Sequence, residues 1–262
     1  VELIPVLDLM HGVAVHARGG VRHAYRPVQS KLLAGSAGYP VALARVYRAK
    51  LGATSCYVAD LDAIEGRPPQ NDLIRALASP IVGFGKGLLV DAAVTGPDIA
   101  LGLIAEGASQ VIVGLETLGG LADLKKIVQS VGGERVIFSL DLKDGKPIHR
   151  GAERIANRDN VGLELGARAA EAGCAGVLVL DIAAVGSGGG PRSLDLIDAF
   201  KRLLGVRVYS GGGVRSEDDL RALETAGCDA VLLGTALHDG SIVKAGEWGR
   251  MGERENGGTG KR

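Results

Sequence analysis

The chain has 262 residues, 46% of them apolar and only 3% aromatic, and its 30 Lys and Arg balance its 30 Asp and Glu to a formal net charge of zero. That length holds one large domain or two small ones, and an aliphatic core of this kind suits parallel strands covered by helices. The balanced charge excludes broad binding to nucleic acid or a membrane surface, so any attraction for an anion must be local.

No run approaches the roughly 18 apolar residues of a membrane span, and no signal peptide is visible. Cys56, Cys174 and Cys228 are scattered, without metal-ligand spacing, and are expected as small buried residues in a reducing, cytoplasmic protein.

In chain order, Glu2 to Asp8 is an apolar run ending in a carboxylate, the first strand. The polar stretch from His11 to about Ala37 reads as a long functional loop. Val41 to Gly52 has helical periodicity behind Pro40, Ser55 to Asp60 is strand two, and Asn71, as N-cap, opens a helix to Ala78. The patch Gly83 to Gly87 precedes strand three, Leu88 to Asp91. Helix three (Pro97 to Glu106), strand four (Gln110 to Val113), helix four (Leu121 to Val131) and strand five (Val136 to Asp141) follow. Then come helix five (Asn160 to Ala172), strand six (Gly176 to Asp181), helix six (Ser193 to Leu204) and strand seven (Val206 to Tyr209). Helix seven (Glu217 to Ala226), strand eight (Ala230 to Leu233) and a last helix near Ile242 to Trp248 complete the pattern. Residues 1–250 thus read as a single domain and 251–262 as a flexible, Gly-, Lys- and Glu-rich tail.

Eight strand–helix alternations predict an α/β (β/α)8 TIM barrel. An open doubly wound sheet fits less well, because the first turn has no GxGxxG and the glycines sit at turn seven. An internal repeat sharpens the reading. Glu106 to Gly114 lies on Ala226 to Gly234, and Asp91-Ala92-Ala93-Val94 lies on Gly211-Gly212-Gly213-Val214. Asp8-Leu9-x-x-Gly12-x-x-x-His16 likewise matches Asp141-Leu142-x-x-Gly145-x-x-x-His149, with Arg18-Gly19 and Arg150-Gly151 just after. Two (β/α)4 half-barrels close one barrel.

The chemistry is expected where strands end. Asp8 and Asp141, at the ends of strands one and five, face each other across a barrel and can divide base and acid roles. Ser210, Gly211, Gly212 and Gly213 with Gly234 and Thr235 form a phosphate cradle, since glycine lets the backbone approach a ligand and the amides of a following helix N-terminus face it. Arg18 and Arg150 are further anion candidates. Asp60, Asp62 and Asp181 can act directly or cap a loop or helix; His16 and His149 are candidate substrate contacts. In the first half, Asp91 and Glu116 would repel a phosphate, so one strong phosphate site is expected, with Lys86 of the glycine patch as a candidate compensating charge. Gly188-Gly189-Gly190 reads as a flexible loop. No metal or organic cofactor is called for.

With paired half-barrels, aspartates ending strands one and five, SGGGVRS (Ser210 to Ser216) and LLGTAL (Leu232 to Leu237), the chain resembles the HisA/HisF family over roughly Leu3 to Leu237. The resemblance implies a ribulose-phosphate binding barrel without cofactor. It also implies either an Amadori aldose–ketose isomerisation of a phosphoribosyl compound, with Asp8 as base and Asp141 as acid, or the cyclase half of an amidotransferase pair. Relative to that family the third-turn glycines are replaced by Asp91-Ala92-Ala93, and a threonine and an aspartate after strand six by Leu180 and Val185. Ile4 to Gly20, Arg26 to Ser30 and Tyr57 to Gly66 resemble a branch associated with tetrahydromethanopterin- or methanofuran-type cofactor synthesis. The reading is therefore an isomerase acting on a small phosphorylated molecule, as a monomer or homo-oligomer. A cyclase or lyase, or a barrel that has lost catalysis and serves a biosynthetic complex, are its rivals.

Overall fold

The structure, a computed structural model, describes residues 1–33, 35, 38–81, 83–148 and 160–242. Its first half runs β1 (Glu2–Met10), β2 (Val13–His16), β3 (Arg26–Pro27), α1 (Pro40–Leu51), β4 (Cys56–Asp60), α2 (Leu61–Ile64), α3 (Asn71–Ala78), β5 (Leu88–Asp91), α4 (Pro97–Ala105), β6 (Gln110–Gly114) and α5 (Leu121–Val131). The second runs β7 (Val136–Lys143), β8 (Lys146–Pro147), α6 (Val161–Glu171), β9 (Gly176–Asp181), α7 (Leu194–Leu204), β10 (Arg207–Gly211), α8 (Glu217–Thr225), β11 (Ala230–Leu233) and α9 (Thr235–His238).

Eight parallel strands, β1, β4, β5, β6, β7, β9, β10 and β11, pair in that order, and β11 pairs back onto β1. The closed ring with its outer helices is a (β/α)8 barrel. Each of these strands contributes a residue to an inner core: Ile4, Tyr57, Leu89, Ile112, Ile137, Leu178, Tyr209 and Leu232. A larger outer core lies between strands and helices, where Leu43, Ala44, Tyr47 and Leu51 of α1 recur at helical spacing and meet alternate strand residues such as Leu7, Leu9 and Val58. Burying one such leucine contributes roughly 1.5–3 kcal/mol. α1 begins with Pro40 in its first turn and ends at Gly52, whose φ of 63° only glycine adopts readily. The three cysteines are buried and unpaired. No helix among the described residues is long and apolar enough to cross a membrane.

The half-barrel repeat is written in the backbone. α4 and α8 occupy equivalent positions 120 residues apart (Pro97–Ala105, Glu217–Thr225), and the glycines that follow them, Gly107 and Gly227, have φ of 103° and 86°. β1 and β7 both run past their aspartates into two-residue hairpins, His11-Gly12 and Asp144-Gly145, in which all four residues have positive φ. This is the type I′ geometry that suits strand twist. The stretch from His11 therefore begins not as loop but as the hairpin strand β2, which pairs with β1 and then β3. One smaller expectation also changes: Gln70, not Asn71, is the N-cap residue of α3, and no side chain bonds there. The glycine patch lies before β5, as expected, which puts it at the barrel end opposite the strand C-termini; a Cβ at Gly83 or Gly87 would strike the backbone of Leu77 or Thr54 at 1.8 and 2.0 Å. The last predicted helix lies, beyond Ile242, outside the described residues, as does the tail.

Candidate active site

Strand side chains alternate between the barrel interior and the helix layer, so parity decides which strand-end residue can meet a ligand. Ile4, Val6 and Asp8 share the inner face of β1, and Ile137, Ser139 and Asp141 that of β7; Asp91 follows Leu89 by two on β5. Asp8 and Asp91 stand level with each other on either side of Ala59 of β4. All three aspartates line one cavity of about 580 Å³ at the C-terminal ends of the strands, within the size range of small-molecule sites.

Parity also turns three candidates outward, and for Asp60 and Asp181 it leaves the capping alternative. Asp60, Asp181 and Ser210 lie one residue out of the inward register and face the helix layer. The Asp60 carboxylate caps α2 through the amides of Asp62 and Ala63 and accepts from the Gln70 amide at 2.6 Å and its side chain at 3.0 Å. Gln70 in turn accepts from Gly12 N at 2.8 Å, and Asp62 accepts from His11 N at 3.0 Å, so this cluster clamps the first hairpin. Asp181 clamps the second directly, accepting from Gly145 N at 3.0 Å and Ala183 N at 3.0 Å. The Ser210 hydroxyl donates to Val179 O of the neighbouring strand.

The cavity holds its carboxylates near neutrality. Burial lifts Asp8 from 3.8 to about 7; Arg22 opposes the rise and the charge of Asp91 adds to it. Asp141 also reaches about 7, through burial and then the charge of Asp91, against the hydroxyl of Ser139 that donates to it at 2.9 Å. Asp91 rises to about 6 by burial, although Tyr57 Oη, which donates to it at 3.1 Å, and the nearby Ala93 amide oppose the rise. A carboxyl that ionises near pH 7 can give or take a proton there.

Gly212 and Gly213, after β10, line the same cavity across the ring from Asp91, and Gly234 and Thr235, after β11, line it beside the strand of Asp8. Gly212 and Gly213 have φ of 83° and 77°, and a Cβ on Gly213 would lie 2.4 Å from the carbonyl oxygen of Gly190. Gly211 is needed for packing, since its Cβ would meet Leu232 at 2.8 Å. Two of the amides at the start of the next helix are taken within the chain. Ser216 caps α8 by accepting from Asp219 N, and Asp219 accepts from Arg215 N and pairs with its guanidinium. Nor is Gly188-Gly189-Gly190 a loose loop: Gly190 N donates to Gly213 O at 3.0 Å and Arg215 holds Gly188 O. It buttresses the glycine turn. Between turn and Asp141 the wall is apolar, with Leu180, Ile182 and Val185.

Of the other candidates, His16 lines the cavity at the end of β2, its ring edge-on to His238 at 5.2 Å. Burial holds the His16 imidazole below its usual range. Arg18 is exposed and does not line the cavity; four residues on, Arg22 does, tied to Glu65 at 3.5 Å. Lys86 is exposed ahead of β5, at the wrong end of the barrel to compensate any charge in the cavity. His149 and Arg150 lie outside the described residues.

Residue-level reading of the sequence missed Tyr57, Arg22 and His238. Tyr57 was findable, two residues before Ala59 on the inward register. His238, 3% exposed, was not, because its partners come from distant segments. Leu32 N donates to Ser30 Oγ, Ser30 meets His238 Nδ1 at 3.0 Å, His238 Nε2 meets Tyr47 Oη at 3.0 Å, and Tyr47 donates to Val6 O. Burial, holding the His238 pKa at about 4, keeps the ring neutral. The chain of bonds ties the 16–33 segment, α9 and β1 together two residues below Asp8.

The chain matches the family model described as histidine biosynthesis protein over residues 2–243. It is 32% identical over 248 residues to the 1-(5-phosphoribosyl)-5-((5-phosphoribosylamino)methylideneamino) imidazole-4-carboxamide isomerase of Prochlorococcus marinus, covering 92% of this chain and 90% of that one. The isomerase of the same name from Natronomonas pharaonis is 30% identical over 246 residues, with 92% and 95% covered. An uncharacterised protein of Methanocaldococcus jannaschii is 29% identical over 245 residues, again with 92% and 95% covered.

Proposed function

The chain belongs to the histidine biosynthesis protein family, the HisA/HisF barrels, and on that premise we propose that it is an isomerase acting on a small phosphorylated, phosphoribosyl-type molecule. The observation that carries the reading is the inward pair Asp8 and Asp141, both held at about 7, sharing a cavity with the glycine turn. Gly212, Gly213, Gly234 and Thr235 hold the phosphate by backbone amides and a hydroxyl, which fixes the sugar over the aspartates. Protonated Asp141 gives its proton to the sugar ring oxygen and opens an aminoaldose to an iminium. Asp8, as carboxylate, takes the proton from the adjacent carbon, and the resulting enaminol settles as the aminoketose. No atom is gained or lost; protons move between carbon and oxygen.

Leu180 and Val185 on the wall and Asp91 at the third turn support a substrate other than the histidine intermediate that the relatives' names describe. One in the making of a tetrahydromethanopterin- or methanofuran-type cofactor is favoured by the N-terminal blocks. The test is turnover by the wild type and by Asp8→Asn and Asp141→Asn, beside phosphate affinity. Turnover is expected to fall about 10²–10⁴-fold in each variant with affinity retained. Affinity lost in step with turnover would remove the acid and base roles.

A further inference from the structure

The twin aspartates end equivalent strands but are not equipped alike. Two residues before Asp141, on the same inner face of β7, is Ser139, 1% exposed; two residues before Asp8 on β1 is Val6. The Ser139 hydroxyl donates to Oδ1 of Asp141 at 2.9 Å. The other oxygen, Oδ2, lies against the end of β6, where a Cβ on Gly114 would come within 3.3 Å of it. Gly114 has no left-handed φ that calls for glycine, so what its missing side chain provides is room for that oxygen. Gly234, 120 positions on, ends β11 beside β1 as Gly114 ends β6 beside β7. A Cβ at Gly234, however, would meet nothing within 4 Å. Among the described residues no hydrogen bond engages the Asp8 carboxylate.

Resting on the reading of Asp141 as acid and Asp8 as base, we propose that Ser139 and Gly114 are positioning residues that fix Oδ2 as the oxygen from which Asp141 gives its proton. With Oδ1 accepting from Ser139, the proton sits on Oδ2, beside Gly114 and open to the cavity that both residues line. When Oδ2 passes its proton to the ring oxygen of the substrate, the O–H electron pair stays on Oδ2, and the carboxylate left behind keeps the Ser139 bond. A donor to that carboxylate makes Asp141 readier to give its proton. Asp8 has the opposite task, and Val6 offers no donor to satisfy its carboxylate first. The halves thus differ at the residue that suits each aspartate to its role. The charged groups around the pair are Asp91, which faces both, Glu116 on the side of Asp141, and Arg22, paired with Glu65, on the side of Asp8. The phenols of Tyr25, Tyr47 and Tyr57, raised by burial, stay neutral there.

The experiment follows the aspartate side-chain carboxyl carbons of the intact protein by carbon NMR through a pH titration, with Asp8→Asn and Asp141→Asn assigning the two resonances. In Ser139→Ala the Asp141 midpoint, about 7 in the wild type, is expected to rise by about one pH unit while Asp8 stays nearly still. Ser139→Thr, which keeps the hydroxyl, should bring it back. An unmoved Asp141 in natively folded Ser139→Ala overturns the proposal, and so does an equal rise at both aspartates, which would report burial at large and not one bond. Gly114→Ala tests the other oxygen even where Ser139→Ala fails to fold. Its methyl should displace the Asp141 resonance and spare Asp8, whereas Gly234→Ala should leave both in place. A silent Asp141 in Gly114→Ala, or an Asp8 response to Gly234→Ala of equal size, refutes the asymmetry. Full turnover by Asp141→Asn would instead sink the acid role, leaving the placement of its two oxygens to stand separately.

Discussion

Turn three and turn seven of this barrel both place a left-handed residue, Ala93 and Gly213, before a valine, but Gly212 also has positive φ where Ala92 does not, and the two turns differ in chemistry. Gly213 sits in the left-handed region because nothing else fits: a side chain would collide with Gly190 O. Ala93 sits there although a side chain is present and unfavourable. The second-half turn is thus specified locally, by glycine, and the first-half turn by its surroundings. The difference teaches that fold symmetry and site symmetry are separable. The halves keep one left-handed position in common and differ in backbone and side chains around it.

Asp8 and Asp141, the proposed base and acid, give the largest expected break in this comparison, since they are the feature the halves still share. Asp8→Asn and Asp141→Asn should each lower kcat about 10²–10⁴-fold while the glycine turn still binds phosphate, as seen by steady-state kinetics beside a phosphate titration. Equal and large losses would keep the halves equivalent in chemistry; a loss from one alone would assign the reaction to that half.

Next in size is Gly213→Ala. With φ at 77° and a contact of 2.4 Å to backbone, it should destabilise the protein by about 2–3 kcal/mol and weaken phosphate binding at least tenfold, measured by denaturant unfolding and calorimetry. The reverse exchange, Ala93→Gly, relieves the same conformation and should change stability by no more than about 1 kcal/mol, in the stabilising direction. A large loss there would mean that the Ala93 methyl, not the turn, matters.

Smaller again is the pH dependence of stability. Asp8 and Asp141 ionise near 7 in the folded chain and near 3.8 unfolded. Between those values the folded chain holds protons that the unfolded chain has released, so their contribution is greatest at low pH and is lost as pH rises through 7. Asp141→Asn should therefore exceed the wild type by about 1 kcal/mol at pH 8, after allowance for cavity water, and match it near pH 3.5, in urea melts at both values. A carboxylate stabilised by a neighbour would give the opposite sign.

Much of this was legible in the residues. Alternating aliphatic runs and helical periods describe the barrel, and the twin Asp-Leu-x-x-Gly blocks its two halves, because a closed sheet leaves few other ways to bury eight such strands. Asp8 and Asp141 followed from their positions in those blocks. Asp60 and Asp181 were open to a direct role or a cap, and the alternation of side chains gives the cap; Ser210 was drawn into the site by proximity to a strand end, and the same alternation turns it outward. Lys86 shows the same lesson at larger scale, since it is near a strand but at the wrong end of it. His238 and Arg22 act through contacts between segments far apart in sequence, which no local pattern encodes. The Asp144-Gly145 dipeptide was a hairpin signal in plain sight, overlooked because a strand ending was expected there.

The clamps on the two hairpins have a consequence for reading mutational data. Asp60 and Asp181 are held mainly by loop and helix amides, with the Gln70 side chain on Asp60 and Arg192 at 3.8 Å from Asp181, yet each sets the path of the chain directly beyond one of the proposed catalytic aspartates. In a saturation screen scored by growth, both would rank beside Asp8 and Asp141 and would pass for members of the reaction centre. Sensitivity to substitution here traces a lever arm as well as a chemical group. Separating the two requires variants such as Asp181→Asn, which retains an acceptor oxygen and loses the charge.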